Sequence, residues 1–142
     1  MSLVCTLSPS PKPSSSQLLA EQVGAEFEKL GAEVETVRVA DHDVRPGAEL
    51  DMGDGDAWPA RREKVMAADI LLPATPIWLG HPDARFSLAP GAVTYWVGEA
   101  QQGTDYQDLD NTPEAVATTT HTLAVNAHHL AGQLRRTPYP PY

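Results

Sequence analysis

The chain has little that is basic, one cysteine and few aromatics. Ten lysines and arginines stand against 19 acidic residues, a net charge of −9 at neutral pH. That balance excludes a duplex nucleic acid partner, whose phosphates need a basic surface, and argues equally against an anionic membrane. Any phosphate ligand must then be held by local backbone dipoles and neutral donors. A lone cysteine, Cys5, excludes an intrachain disulfide and is compatible with a reducing compartment. Its place in the apolar run "LVCTL" predicts a buried, structural thiol. Long hydrophobic runs are missing too. No stretch reaches membrane-spanning length, and the N-terminus lacks the cationic, apolar pattern of a signal peptide, so a cytoplasmic protein is expected.

The 142 residues are about one domain's worth. Proline is abundant, at 13 residues, concentrated in turns and in the tail over 137–142. The order of patterns is strand, helix, strand, helix, strand, a short gap, strand, helix. Residues 2–7 read as an apolar strand. From Ser16, the positions Leu19, Ala20, Val23, Phe27 and Leu30 share one helical stripe, and Gly31 stops it. "EVETVRV", 33–39, reads as a strand. A helix is expected over about 57–69, with Asp56 as cap and Pro59 in its first turn. "ILLPAT", 70–75, has the continuous apolar character of a buried parallel strand, with Pro73 as an edge-strand signal. "GAVTYWVG", 91–98, reads as another strand. The last helix starts from a Thr112–Pro113 cap signal and carries Val116, Thr120, Leu123, Ala127, Leu130 and Leu134 on one stripe. Strands alternating with helices imply a doubly wound, parallel α/β sheet.

In such sheets ligands bind beyond the carboxyl ends of the strands. The loop "SPSPKPSSS", 8–16, follows the first strand and leads into the first helix. Free N–H groups and the helix dipole there favour an anion, and serine hydroxyls add neutral donors. On spacing alone, a phosphate cradle and a proline-rich turn with serine caps remain equally open. Three carboxylates in "DMGDGD", 51–56, lack the ligand series of a calcium loop and read as an acidic solvated loop. His121, His128 and His129 lack zinc-helix spacing and read as exposed. No base is placed to activate a serine nucleophile, and the G-x-S-x-G pattern is absent, so a hydrolase is not supported.

Three stretches carry a resemblance: "SPSPKPSSSQLLAEQV" at 8–23, "WPARREKVMAADILLPATPIWLGHP" at 58–82, and "PGAVTYWVGEA" at 90–100. In this order they resemble the NADPH-dependent FMN reductase family of flavodoxin-like proteins. The resemblance implies an FMN-binding oxidoreductase that transfers hydride from NAD(P)H to flavin, with small-molecule nicotinamide and flavin as partners. Matched by position, Ser10, Lys12, Ser15, Ser16 and Gln17 would surround the FMN phosphate. Thr75, Pro76, Ile77, Trp78, Leu79 and Gly80 would line the ribityl chain and the isoalloxazine. Tyr95, Trp96 and Gly98 would lie at the rim if the last strand keeps its family position. Only "HPDARFSLAP" stands where the family has a helix, a strand and another helix, so about 45 residues or more are missing relative to it. The expectation is a single flavodoxin-like domain over 1–142 with a shortened connection at about 81–90. Its sheet has about four strands in the order 2-1-3-5, with helices on both faces. The alternative is a degenerate, non-catalytic relative that binds flavin weakly or dimerises, and a homo-oligomer is compatible with the exposed sheet edge such a gap would leave.

Overall fold

The computed structural model describes residues 1–78, 81–82, 89–96 and 104–140. Three short parallel strands form the sheet: β1 (Ser2–Val4), β2 (Thr36–Arg38) and β3 (Leu72–Ala74), in the order β2-β1-β3. Leu3 is level with Val37 on one side and Pro73 on the other. Between β1 and β2 runs α1 (Ser15–Lys29), and between β2 and β3 runs α2 (Trp58–Ala67). The two connections travel in opposite directions across the sheet, so right-handed crossovers place α1 and α2 on opposite faces. Ile77–Trp78 (β4) and His81–Pro82 (β5) pair as a small antiparallel ladder. The long α3 (Glu114–Arg136) packs along α1.

The α1 boundaries follow from its ends. The Ser14 hydroxyl accepts a hydrogen bond from the Gln17 amide at 3.3 Å, one turn in, as an N-cap does. At the other end, the Ala32 amide reaches back to the Phe27 carbonyl and the Gly31 amide to Glu28. That pairing needs a left-handed residue at Gly31, whose φ is +82°. A Cβ at Gly31 would meet nothing within 4 Å, so strain alone opposes a side chain there. Gly31→Ala is expected to cost about 1 kcal/mol, read as a lower urea midpoint with an unchanged m-value.

The core is the seam between α1 and α3. Val23 and Phe27 of α1 meet Leu123 and Ala124 of α3, and Leu30, Val34, Ile70 and Leu72 pack around them. Val116, Thr120 and Leu123 of the expected α3 stripe are buried, while Leu130 and Leu134 are half-buried. Thr112 does not cap α3. Its hydroxyl accepts from Gln22 Nε2 at 3.1 Å, tying α1 to the start of α3, and the cap position belongs to Pro113, whose carbonyl accepts from the Val116 and Ala117 amides. Asp56 acts one residue ahead of the α2 cap: its carboxylate accepts from the Trp58, Arg45 and Met52 amides. Those bonds hold its pKa below the ordinary aspartate value, the Trp58 amide foremost. The acidic loop thus spends a carboxylate on its own backbone.

Two further expectations are corrected. The first concerns the sheet. Residues 91–96 form no strand, so the described sheet has three strands rather than the four of a 2-1-3-5 order, while its 2-1-3 part is present. The reason is that this segment is held by α3. Asn126 Nδ2 donates to the Pro90 carbonyl, and the Thr94 hydroxyl bonds those of Thr119 and Thr120. With no outer neighbour among the described residues, β3 is an edge strand, and Leu71 beside it is 44% exposed where a buried run was expected. Leu72 donates to the Met1 carbonyl and Ala74 accepts from the Cys5 amide. Pro73 between them therefore turns its missing N–H outward, where a further strand would need it. The second correction is Cys5, which is exposed: the chain leaves the sheet at Val4, so the thiol lies on the rim.

Candidate functional site

The carboxyl ends of β1 and β3 lie side by side, joined by the Cys5 amide donating to the Ala74 carbonyl at 2.7 Å. From this rim, Cys5 opens the loop to α1 and Thr75 opens the segment to β4. The two stretches expected to hold a ligand thus start from neighbouring points. Partial desolvation pushes the Cys5 thiol pKa up, so it rests as the neutral thiol.

The loop before α1 is clamped from beneath. Arg38, at the end of β2, is only 8% exposed. Its Nε donates to the Ser8 carbonyl and its Nη2 to the Lys12 carbonyl, both at 2.8 Å. A guanidinium presents donors in a rigid fork, so one side chain fixes both ends of a five-residue turn. The turn is completed by the Lys12 amide donating to the Pro9 carbonyl at 3.1 Å. Ser10 faces a second partner. Its amide donates to Asp41 Oδ1 at 2.6 Å and its hydroxyl to Oδ2 at 2.7 Å. Asp41 ends the short helical turn Val39–Asp41 that follows β2. The Ser10 amide, then its hydroxyl, hold the Asp41 pKa below the ordinary value, with help from Arg38.

Beyond the loop, Ser15, Ser16 and Gln17 occupy the first turn of α1, where amides have no intrahelical acceptor. The Ser15 hydroxyl accepts from the Gln107 amide at 3.4 Å. Gln107 belongs to the turn Tyr106–Asp108. That turn is anchored by Tyr106, whose buried ring lies 5.6 Å from Trp96 and whose hydroxyl donates to Gln22 Oε1. Gln17 Nε2 donates to Glu21 at 2.7 Å. Gln17 Oε1 and Gln107 Oε1 are buried without a partner, although buried acceptors in folded proteins are nearly always satisfied. A cavity of about 400 Å³ opens on the β2 side, bounded by Ser10, Gln17, Arg38, Asp41, His42 and Arg61.

Of the expected site residues, Ser10 and Gln17 share this cavity, and Ser15 and Ser16 lie beside it in the helix start. Lys12 is exposed and contributes its backbone to the turn. Thr75 and Pro76 are half-buried at the β3 end, with the Thr75 hydroxyl on the Pro76 carbonyl at 3.3 Å. Ile77 and Trp78 form β4; Leu79 and Gly80 lie outside the described residues, as does Gly98. The sequence reading missed Arg38, Asp41 and Gln107. A charged residue closing an otherwise β-branched strand was the signal available for Arg38. His121 Nδ1 donates to the Glu26 carboxylate across the α1–α3 seam at 2.9 Å.

The chain's residues 3–131 match the family model for NADPH-dependent FMN reductase. The chain belongs to the NADPH-dependent FMN reductase family. Members of the NADPH-dependent FMN reductase family are flavin-related oxidoreductases, and the chain is one by this membership. Its parallel sheet is of the flavodoxin-like type: it superposes on the crystal structure of RosB with bound 8-demethyl-8-formylriboflavin-5'-phosphate with a TM-score of 0.79 and 26% identity, covering 97% of this chain and 80% of that one. It is also similar to 8-demethyl-8-aminoriboflavin-5'-phosphate synthase of Streptomyces davaonensis, 27% identical over 203 positions that take in 94% of this chain and 77% of that enzyme. An alignment of 79 positions that takes in 53% of the chain is 38% identical to part of the divalent metal cation transporter MntH of Mycobacterium bovis, but spans only 12% of that transporter. Among the described residues, no helix is long and apolar enough to cross a membrane.

The residues at the α1 start fit the phosphate and polyol of a flavin nucleotide. The Ser15 and Ser16 amides and hydroxyls are donors of the kind an anion needs, and the orphaned Gln17 Oε1 and Gln107 Oε1 are acceptors of the kind a polyol needs.

Proposed function

We propose that this chain binds FMN at the carboxyl edge of its sheet and accepts hydride from NAD(P)H onto that flavin. The observation that carries the reading is the pair of orphaned acceptors, Gln17 Oε1 and Gln107 Oε1, flanking a serine-lined helix start within a flavodoxin-like fold. Ser15 and Ser16 donate to the phosphate together with the first-turn amides, and Lys12 offers an exposed positive charge above them. Ser10 closes the near side. The segment opened by Thr75 and Pro76 at the β3 end takes the ribityl chain and the ring, as the resemblance implies for Thr75, Pro76, Ile77, Trp78, Leu79 and Gly80, of which Leu79 and Gly80 lie outside the described residues. When bound, the flavin supplies the redox chemistry, and the protein's part is to hold it, orient it and limit access to it.

The test is a titration with FMN followed by flavin fluorescence. Wild type is expected to quench it saturably at micromolar concentration. The double substitution Ser15→Ala with Ser16→Ala removes two donors and is expected to weaken binding by at least about 100-fold at a nearly unchanged melting temperature, since each hydrogen bond to a charged group contributes about 1.5–3 kcal/mol. Equal affinity would move the phosphate elsewhere. Oxidation of NADPH by the FMN-loaded chain then tests the hydride step.

A second reading has its own support. Leu71, Val93 and Tyr95 are 44%, 48% and 60% exposed. The alignment with the synthase runs over 203 positions, longer than the 142-residue chain, which supports a gap relative to that enzyme. Under this reading the chain is a non-catalytic module that self-associates through its apolar surface. Concentration-dependent size without flavin uptake favours it; a monomer that takes up FMN removes it.

A further inference from the structure

Ser10 presents a backbone amide and a hydroxyl to one carboxylate, at 2.6 and 2.7 Å. This is the donor set by which a loop at a helix start coordinates an anion. Asp41 comes from the short helical turn after β2, 31 residues along the chain, and meets the loop there. Arg38 lies beneath the same loop, but its Nε and Nη2 are engaged with the Ser8 and Lys12 carbonyls. Ser10, Gln17, Arg38 and Asp41 bound one cavity, so an anion entering it meets a negative charge that already holds two of the donors.

We propose that Asp41 is the phosphate-specificity residue of this site, an internal anion that occupies the Ser10 donors and sets how strongly the loop prefers a phosphorylated flavin. The inference rests on the flavin reading above. Two anions cannot share the Ser10 amide and hydroxyl. A phosphate must either displace the Asp41 carboxylate or settle on the α1 first turn beside it, against like-charge repulsion. A flavin without phosphate pays neither cost. The ratio of FMN affinity to riboflavin affinity therefore reads the charge at position 41, whereas a carboxylate that only shaped the loop would affect both ligands alike.

The experiment measures FMN and riboflavin affinities for wild type, Asp41→Asn and Asp41→Ala, with thermal unfolding to confirm the fold. Both variants are expected to gain about tenfold or more for FMN, while riboflavin changes by less than about threefold, a selective shift of at least about 1.4 kcal/mol in one ligand's binding free energy. Asn keeps the shape and removes the charge; Ala removes both, so agreement between them assigns the effect to charge. If wild type binds FMN and the variants bind it equally or more weakly, or if both ligands shift together, Asp41 is a loop brace and the inference is overturned. If no variant and no wild-type sample binds FMN, the flavin reading itself fails, and this one with it.

Discussion

Phe27→Ala is expected to destabilise the domain by about 3–4 kcal/mol, the largest single effect anticipated for this chain. Phe27 is 5% exposed and sits in the only place where the two long helices share a buried cluster among the described residues, against Val23, Leu123 and Ala124. The sheet cannot compensate. Its strands are three residues each, and α2 has no buried residue. Truncation removes the ring's transfer free energy and leaves a cavity that rigid helices on both sides cannot close. For a domain of this size the loss should lower the melting temperature by roughly 6–14 °C. Val125→Ala, on the outer side of α3 at 37% exposed, should cost less than about 0.5 kcal/mol. Equal shifts for the two would show that the α1–α3 seam is not the core.

Arg38→Met comes second. Methionine keeps the buried stem but removes both donors, freeing the Ser8 and Lys12 carbonyls and leaving the Ser10–Asp41 pair to tie the loop to the turn after β2. Hydrogen bonds from a charged group contribute about 1.5–3 kcal/mol each, but removing the cation also removes its burial cost. A net loss of about 1–3 kcal/mol in stability is expected. FMN affinity should fall about 10- to 100-fold, because the phosphate would then meet a loop that must be ordered on binding. Arg38→Lys should not restore either quantity, since one ammonium lacks the fork that spans two carbonyls. Full rescue by lysine would mean that charge, not geometry, is what position 38 supplies.

Much of the frame was legible because it is local. The α1 stripe and its stop at Gly31 follow from 3.6-residue periodicity and a glycine that alone tolerates φ of +82°. The stripe of α3 was equally plain, and the parallel sheet followed from strands alternating with helices. The site was legible as a place, the loop between β1 and α1, together with the segment after β3. Its internal wiring was not. Arg38 and Asp41 come from β2 and the turn after it, and nothing in their spacing relates them to Ser8, Ser10 or Lys12.

The sequence by itself determined the three helices, where α1 ends, the parallel 2-1-3 part of the sheet and the family to which the chain belongs. Only the tertiary structure decided that residues 90–94 attach to α3 instead of β3, that Cys5 lies on the rim, and that the serine loop is braced by a buried arginine and faced by an aspartate. The physical reason is the range of the interactions. Periodicity and capping act within about one helical turn, whereas these contacts join residues 26 to 36 positions apart and exist only once the sheet and helices have brought them together.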